Sequence, residues 1–529
     1  MPRPARSTIV LFWVVAVAFY LAPRLSGLDL DPPVTVLTGS LGTELMVEPP
    51  AKAHEARNWA LFDAWKLSPA DNYQFWRAQS PAWVYPLALS FRLFGVSYAT
   101  LRATATLFGL AGLVAVVLFA YRRYGPRGAV LGAVLLSTDQ FGIFFGRSGI
   151  LEPLVAGFCA LSLYFLDRAF ERVAWLAPAL LALLVAIAIK LAALPAIPVV
   201  VVFGGVALFR AEGAARKARI RWIAIASIGL LFVALGAYAL SPAYRRTLEW
   251  NFHHMLLARE GGSGIDLEAL DDEEVGATAT EVLRRFNRLR WMFPIAVVCA
   301  GLELARHAYL LVRRRLAIGD ALVLAYFVSF ALGVFLPRFS GLRFLVLLQI
   351  PLVLLTLGFV CNAATWLEER ANRWPRLLGR VGPLLFGLGA AAWGLGTWAY
   401  ARANLGHEIR DTTALLRDKI GDRPDAVVIG LWAAPAVLET PYKHYYVKSV
   451  FNSSPEALAA LAPTHTLLLE SQDYTRSILA SQWPDALEAA RPLGTVTLRN
   501  RPITLAQIPL VAQNRLRRQF GLPLVFGRP

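Results

Sequence analysis

The sequence predicts an α-helical polytopic membrane protein with about 11 transmembrane helices, interfacial helices in the first outer loop, and a small C-terminal α/β soluble domain. Of 529 residues, 57% are hydrophobic and only 17% are charged, and the mean hydropathy is +0.50. Long runs without charge, such as 8–23, 103–120 and 173–189, match the roughly 20 apolar residues that a helix needs to cross a bilayer. A large soluble core would instead require amphipathic helices.

Hydropathy and basic loops together predict the topology. The predicted spans are residues 7–24, 98–121, 128–146, 151–167, 174–190, 192–209, 222–240, 292–312, 319–336, 344–361 and 382–401. With a cytoplasmic N-terminus, every second loop is rich in arginine, as the positive-inside bias requires. The net charge of +17 therefore indicates membrane orientation, and no nucleic-acid partner is expected. An odd number of spans then leaves the C-terminus outside.

Two domains follow from this topology, a membrane domain over 1–402 and an extracytoplasmic α/β domain over 403–529. Outer loops are predicted at about 25–97 and 241–291. The tail alternates helical patterns with short apolar runs, which predicts the α/β domain and a structural or acceptor-docking role. The residues after the first apolar run show no small-residue cleavage site, so we read that run as a retained helix. Abundant Ala, Arg and Leu favour a bacterial inner membrane.

The first candidate site lies in the outer loop that follows the first span. Glu55, Arg57, Trp59 and Trp65 mix charged and aromatic character, which predicts a helix lying in the membrane interface. Such a helix can hold a carboxylate over the membrane surface as a general base. The alternative is an ordinary amphipathic surface helix.

Two further candidate sites contain charged residues at membrane depth, where ionisable groups are costly and often functional. Arg147 and Glu152 flank a turn between apolar segments, either as a helix-end ion pair or facing a polar cavity. Lys190, Arg338 and Arg343 lie near the predicted outer face, where cations can bind a lipid phosphate or pyrophosphate. The alternative for these cations is snorkelling to headgroups.

The order of these features resembles the GT-C class of membrane glycosyltransferases, in particular protein O-mannosyltransferases and the aminoarabinose transferases that act on lipid A. The first matching segment is a helix of Ala-Arg-Asn type in the first outer loop, at residues 55–65. Four further elements match after it, at residues 93–102, 146–152, Lys190 and 343–345. The topology matches over about 1–400, and the residues match best over about 45–155.

The resemblance implies a catalytic carboxylate in the first outer loop, where the family usually has Asp followed by Glu. Here the pair falls on His54-Glu55, or the Asp position falls on Glu48, so Glu48 and Glu55 are the candidate bases. The donor phosphate is expected at Lys190, Arg343 and Arg147. The remaining candidates are His54, Arg57, Glu152 and Arg338.

The implied activity is that of a polyprenyl-phosphate-sugar-dependent glycosyltransferase, either hexosyl or pentosyl. The partners are membrane lipid, the polyprenyl-phosphate sugar donor, and a glycan, lipid or protein acceptor with a hydroxyl group. No cofactor is required; a divalent metal is compatible with the scheme, but the sequence has no metal-ligand constellation. The alternatives are a transporter or flippase of lipid-linked sugar and a non-catalytic membrane protein of envelope assembly.

Overall fold

The structure is a computed structural model that describes residues 6–32, 42–73, 76–210, 279–336, 342–370, 372–447, 451–469, 474–498 and 501–526. The chain forms two compact units. The first holds the described residues within Met1–Ser26, Ala105–Arg246 and Glu274–Tyr400, and the second holds those within Gly27–Thr104, Thr247–Glu273 and Ala401–Pro529. The predicted span 222–240 and the predicted loop residues 241–278 lie outside the described residues.

Helices dominate both units, and the strands belong to the second unit. The helices are α1 (Arg6–Leu25), α2 (Gly42–Lys52), α3 (His54–Phe62), α4 (Trp76–Gln79), α5 (Pro81–Phe94), α6 (Tyr98–Thr138), α7 (Gln140–Ser148), α8 (Glu152–Ala169), α9 (Leu176–Ile189), α10 (Ala196–Arg210), α11 (Ala279–Met292), α12 (Pro294–Val312), α13 (Ile318–Phe335), α14 (Gln349–Glu368), α15 (Arg373–Ala403), α16 (Glu408–Ile420), α17 (Ala433–Val437), α18 (Pro455–Leu461), α19 (Tyr474–Gln482), α20 (Pro484–Ala489) and α21 (Leu510–Gln519). The strands are β1 (Val427–Ile429), β2 (Lys443–Tyr445), β3 (His465–Leu469), β4 (Arg491–Leu498) and β5 (Arg501–Gln507).

The apolar helices make the chain a polytopic membrane protein, as predicted. Among the described residues, 6 helical segments are long and apolar enough to cross a membrane, or 7 if the bent pair α7 and α8 is one span. Large apolar side chains remain exposed on these helices, including Leu11, Val298 and Leu384. Hydrocarbon is the medium that would cover them. The predicted number of spans, the orientation and the domain boundary at 402 stay predictions.

The predicted third span, 128–146, is interrupted in the structure. Gly125 adopts a φ of 70° and is followed by Pro126, which kinks α6 between the second and third predicted spans. The helix then ends at Thr138, and the Asp139 carboxylate caps α7 by accepting a hydrogen bond from the Gly142 amide at 2.6 Å. Asp139 therefore begins a new helix inside the predicted span.

The second unit contains a five-stranded sheet in the order β2-β1-β3-β5-β4. Strands β2, β1 and β3 are parallel, while β5 runs antiparallel to both β3 and β4. This sheet confirms the predicted small α/β fold of the tail. Its core includes Ile429, Leu458 and Trp483. Leu67, which lies between α3 and α4 in the predicted first outer loop, packs against the same cluster. Loop and tail thus share one hydrophobic core.

Candidate active site

Three charged residues from distant parts of the sequence form a cluster in the first unit. The Lys190 ammonium lies 2.5 Å from Oε1 of Glu152, and Nε of Arg343 lies 3.0 Å from the same oxygen. The Glu152 side chain is 0% exposed, and those of Lys190 and Arg343 are 8% and 17% exposed. The predicted donor-phosphate residues Lys190 and Arg343 are therefore brought together around one buried carboxylate.

Each member of the cluster sits where regular α-helix begins, ends or changes type. Glu152 lies in the first turn of α8, after a bend of 108° that follows Gly149, whose φ is 88°. Lys190 follows the last residue of α9 in an extended conformation. Arg343 belongs to the 3₁₀ segment Leu342–Leu348. Such breaks expose polar backbone in a membrane protein, and they are tolerated where the protein buries them or lines a polar cavity.

Among the described residues, two cations of this cluster share one carboxylate. The ring of Phe344 lies 4.9 Å from the Lys190 ammonium and 5.2 Å from the Arg343 guanidinium carbon, so it supports both cations through its π face. A guanidinium binds phosphate oxygens as a planar fork and an ammonium binds them as a point charge. The arrangement can therefore accept an anionic headgroup.

The sequence also predicts Arg147 and Arg338 as candidate site residues near the membrane surface. Arg147 is buried, and its Nη1 donates a hydrogen bond to the carbonyl oxygen of Ser26 at 2.8 Å. This bond ties α7 to the end of α1, so Arg147 contributes to the packing of the first unit. Arg338 lies outside the described residues.

The two candidate bases, Glu48 and Glu55, belong to the second unit and have different surroundings. Glu48 accepts a hydrogen bond from Lys52 one helical turn away, at 2.6 Å, and its side chain is 22% exposed. Glu55 is 2% exposed, and its Oε2 accepts a hydrogen bond from the Arg77 amide at 2.6 Å. Neither carboxylate lies in bulk solvent.

Burial raises the pKa of the Glu55 carboxyl above its ordinary value, and the nearby negative charge of Asp71 acts in the same direction. The Arg77 amide and the charges of Arg77 and His54 oppose this rise without cancelling it. A carboxylate with a raised pKa is a stronger base near neutral pH. Glu55 thus has the electrostatic character expected of a general base.

His54, which occupies one of the family's acidic positions, lies in a buried polar cluster. Its Nε2 lies 3.2 Å from Oδ2 of Asp71 and 3.2 Å from Nδ2 of Asn58. Its ring packs edge-on against that of His444, with centroids 5.2 Å apart. Burial, followed by the charges of His54 and Arg57, lowers the pKa of His444 well below its usual value, so His444 is neutral at pH 7. The cluster joins the start of α3 to the tail.

The helix α3 is more deeply packed than the interfacial helix that the sequence predicts. Its first five residues, His54 to Asn58, are all buried. A surface helix would expose the charged residues Glu55 and Arg57, but both lie inside the second unit. Contacts between the loop and the tail, which are far apart in sequence, account for the difference.

The first unit contains a second ionic network, which was not predicted from the sequence. The buried carboxylate of Glu303 accepts hydrogen bonds from Arg306 at 2.6 Å and from Asn362 at 3.1 Å. Arg306 also contacts Asp320 at 3.3 Å, and Arg123 contacts Asp320 at 3.2 Å. The charged residues within the predicted span 292–312 were the available signal. The network links α6, α12, α13 and α14.

In the described part of the chain, no group of three or more His, Cys, Asp or Glu side chains is placed to hold a metal ion. The three cysteines are free thiols, with Cys159 and Cys299 buried and Cys361 partly buried.

The fold is that of the GT-C glycosyltransferases, which confirms the resemblance seen in the sequence. ArnT from Cupriavidus metallidurans in the apo state is similar over 94% of this chain and 98% of its own, with a TM-score of 0.62 and 14% identity. Its complex with undecaprenyl phosphate matches over 95% and 98%, with a TM-score of 0.58 and 15% identity.

A third similar structure is the archaeal oligosaccharyltransferase AglB from Archaeoglobus fulgidus, in complex with an inhibitory peptide and a dolichol-phosphate. It matches over 86% of this chain and 68% of its own, with a TM-score of 0.50 and 13% identity. No family model and no curated protein sequence matches the chain. The comparison therefore rests on fold.

Proposed function

We propose that the protein is a glycosyltransferase that moves a sugar from a polyprenyl-phosphate carrier to a hydroxyl group on an acceptor. The observation that carries this proposal is the cluster of Lys190, Glu152 and Arg343 inside a GT-C fold. Supporting it, structures of two proteins with this fold contain undecaprenyl phosphate and dolichol-phosphate. An ammonium and a guanidinium are the side-chain groups that bind phosphate oxygens.

In the proposed reaction, the acceptor oxygen attacks the anomeric carbon of the donor sugar. The new bond joins this carbon to the acceptor, and the bond to the carrier phosphate breaks with inversion. Negative charge develops on the departing phosphate oxygen, where Lys190 and Arg343 stabilise it, and Arg147 assists from α7. Glu152 holds the two cations in place, because each forms an ion pair with the same carboxylate oxygen.

A carboxylate of the first outer loop takes the proton that the acceptor hydroxyl loses. Glu55 is favoured by its burial and raised pKa. Glu48 is the alternative, although its bond to Lys52 occupies one of its oxygens. His54, aligned by Asp71, completes the surroundings of Glu55.

We further propose that the reaction takes place at the outer face of a bacterial inner membrane. The N-terminus is then cytoplasmic and the tail extracytoplasmic, in agreement with the arginine-rich alternate loops. The acceptor is a glycan, lipid or protein that carries a hydroxyl group. The transferred sugar is a hexose or a pentose.

Turnover of the donor by the purified protein tests this proposal. Given polyprenyl-phosphate sugars and a panel of hydroxyl acceptors, the native protein is expected to release polyprenyl phosphate. Glu55→Gln is expected to lose this activity by about 100-fold or more, the size expected for a general base. Glu171→Gln, which changes a half-exposed carboxylate, is the matched control.

The same experiment identifies which carboxylate is the base, and it distinguishes a transferase from a transporter. If Glu48→Gln loses activity while Glu55→Gln keeps it, Glu48 is the base. A transporter or flippase would move labelled lipid across proteoliposomes and leave the glycosidic bond intact. That result, with no release of polyprenyl phosphate, would reject the transferase.

A further inference from the structure

Arg57, in α3, connects the first outer loop to the tail through main-chain oxygens. Its Nε donates to the carbonyl of Leu438 at 3.0 Å. Its Nη2 lies 3.1, 2.7 and 2.8 Å from the carbonyl oxygens of Val437, Thr440 and Tyr442. The side chain is 2% exposed, so solvent competes little for these bonds.

The four oxygens come from the C-terminal end of α17 and from the chain that leads to β2. The last carbonyls of a helix have no partner within it, and they carry the negative end of its dipole. A guanidinium meets several such oxygens at once because its donors are fixed in one plane. A lysine at this position would supply one ammonium and a different geometry. Arg57 therefore acts as a C-terminal cap for a helix of the tail.

A second connection joins the loop to the tail at Asn452. The Asn452 side chain and main chain exchange hydrogen bonds with Asn72, at 3.0 and 2.8 Å. Its Nδ2 also donates to Oδ1 of Asp71 at 2.8 Å. The other oxygen of Asp71 bonds to His54, the first residue of α3.

Both connections end on the same short stretch of α3. Arg57 contacts the tail through its hydrogen bonds, and His54 is connected to it through Asp71 and Asn452 as well as by its ring contact with His444. Glu55 lies between these two positions, with its carboxylate bonded to the Arg77 amide. The tail residues that contact α3 lie about 380 positions further along the chain, since Arg57 and Val437 are separated by 380 residues.

We propose that Arg57 is a positioning residue, through which the tail holds α3 and the Glu55 carboxylate in the geometry needed for proton transfer. This inference rests on the proposed glycosyl transfer. It makes the tail part of the catalytic apparatus of the second unit, in addition to any role in docking the acceptor. The reaction itself is unchanged, because Arg57 moves no proton and forms no bond to substrate.

The test compares Arg57→Lys with Arg517→Lys in the full-length protein. Arg517 also bonds to main-chain oxygens, those of Ala459 and Pro523, but entirely within the tail. Arg57→Lys is expected to lower kcat by about 100-fold, as small displacements of a catalytic group can. Its KM for the donor and its affinity for polyprenyl phosphate should stay within about twofold of native, as for a group outside the phosphate site. Arg517→Lys should keep a near-native kcat.

Two further readouts separate positioning from a merely structural role. In Arg57→Lys, the acid limb of the kcat/KM profile should move to lower pH, because a displaced Glu55 becomes better solvated. Amide hydrogen exchange in α3 should accelerate in Arg57→Lys and remain native in Arg517→Lys. If Arg57→Lys does not fold, Asn452→Ala tests the second connection, with the same shift of the acid limb expected.

Three outcomes would overturn the inference. A native kcat in Arg57→Lys, or in Asn452→Ala if that variant is the one tested, would show that the connection is not needed. An equal loss of polyprenyl phosphate affinity and kcat would make Arg57 a donor-binding cation. Unchanged hydrogen exchange in α3 would show that Arg57 does not hold the helix. If the native protein releases no polyprenyl phosphate, the proposed function is wrong. Hydrogen exchange in Arg57→Lys then still tests whether Arg57 holds α3 against the tail.

Discussion

Lys190 and Glu152 form an ion pair of 2.5 Å in the first unit, although 38 residues separate them in sequence. The pair is buried, and Arg343 completes it from a third segment. Partly buried cations at an apolar site need a counter-charge, because desolvation is expensive. Glu152 supplies one unit of negative charge to these two cations, and in the proposed reaction the carrier phosphate also contacts them.

Removal of the Glu152 charge should make the thermal stability of the protein depend more strongly on bound polyprenyl phosphate. In Glu152→Gln, Lys190 and Arg343 lose their shared partner and repel each other, so the unfolding temperature in detergent should fall. Polyprenyl phosphate should then raise this temperature more in the variant than in the native protein, because the phosphate replaces the missing anion. A smaller ligand-induced shift in the variant would contradict this role of Glu152.

The network around Glu303 should stabilise the first unit. Glu303 is buried and bonds to Arg306 and Asn362, so Glu303→Gln removes the closer of the two carboxylates that Arg306 contacts. Breaking a fully buried pair costs roughly 3–5 kcal/mol, and the loss here should be smaller because Arg306 is partly exposed and keeps Asp320. Glu368→Gln is the matched control, since its pair with Arg127 is partly exposed and worth about 0–1 kcal/mol. Unfolding temperatures of the two variants in one detergent make the comparison, and equal losses would reject the assignment.

The pH dependence of turnover should report the raised pKa of Glu55. A base works only when deprotonated, so kcat/KM should fall as the pH drops through that pKa. We expect the acid limb above pH 4.3, the ordinary value for Glu. Glu48→Gln should leave the limb in place. If turnover falls in Glu48→Gln and the residual activity has no acid limb, the limb belongs to Glu48.

Asp31 should make the second unit less stable as the pH rises. Burial raises its pKa to about 6, although the charge of Arg102 and the Ile409 amide at the start of α16 oppose the rise. Between pH 4 and 6 the folded state retains a proton that the unfolded state has lost, so this contribution to stability declines as the pH rises through about 6. Asp31→Asn should remove up to about 2 kcal/mol of this decline. Unfolding temperatures at pH 4.5 and 7.5 measure it; an unchanged difference between the two would contradict the assignment.

Local sequence signals predicted much of the fold. The uncharged runs mark the apolar helices, and short apolar runs near 427 and 466 mark β1 and β3. The break at Asp139 was missed because the apolar run continues across it, while an N-cap requires only one suitable side chain. Hydropathy averages over such a residue, although a capping analysis can find it.

Only part of the candidate site could be predicted from the sequence, because contacts between distant residues leave no local pattern. Lys190 and Arg343 were found because isolated cations stand out in apolar sequence. Their common partner, Glu152, was predicted with Arg147, its neighbour in the chain, because tertiary pairing is invisible in a single sequence. Arg57 bonds to main-chain oxygens, which carry no sequence signal at all.

In the proposed reaction, Lys190 and Arg343 bind the phosphate of a polyprenyl carrier. Equilibrium binding of polyprenyl phosphate can be measured for the native protein, Lys190→Met, Arg343→Met and the control Arg127→Gln. Each charge-assisted hydrogen bond is worth about 1.5–3 kcal/mol, so each Met variant should bind about 10- to 100-fold more weakly. Arg127→Gln should bind like the native protein. Native affinity in both Met variants would contradict the claim.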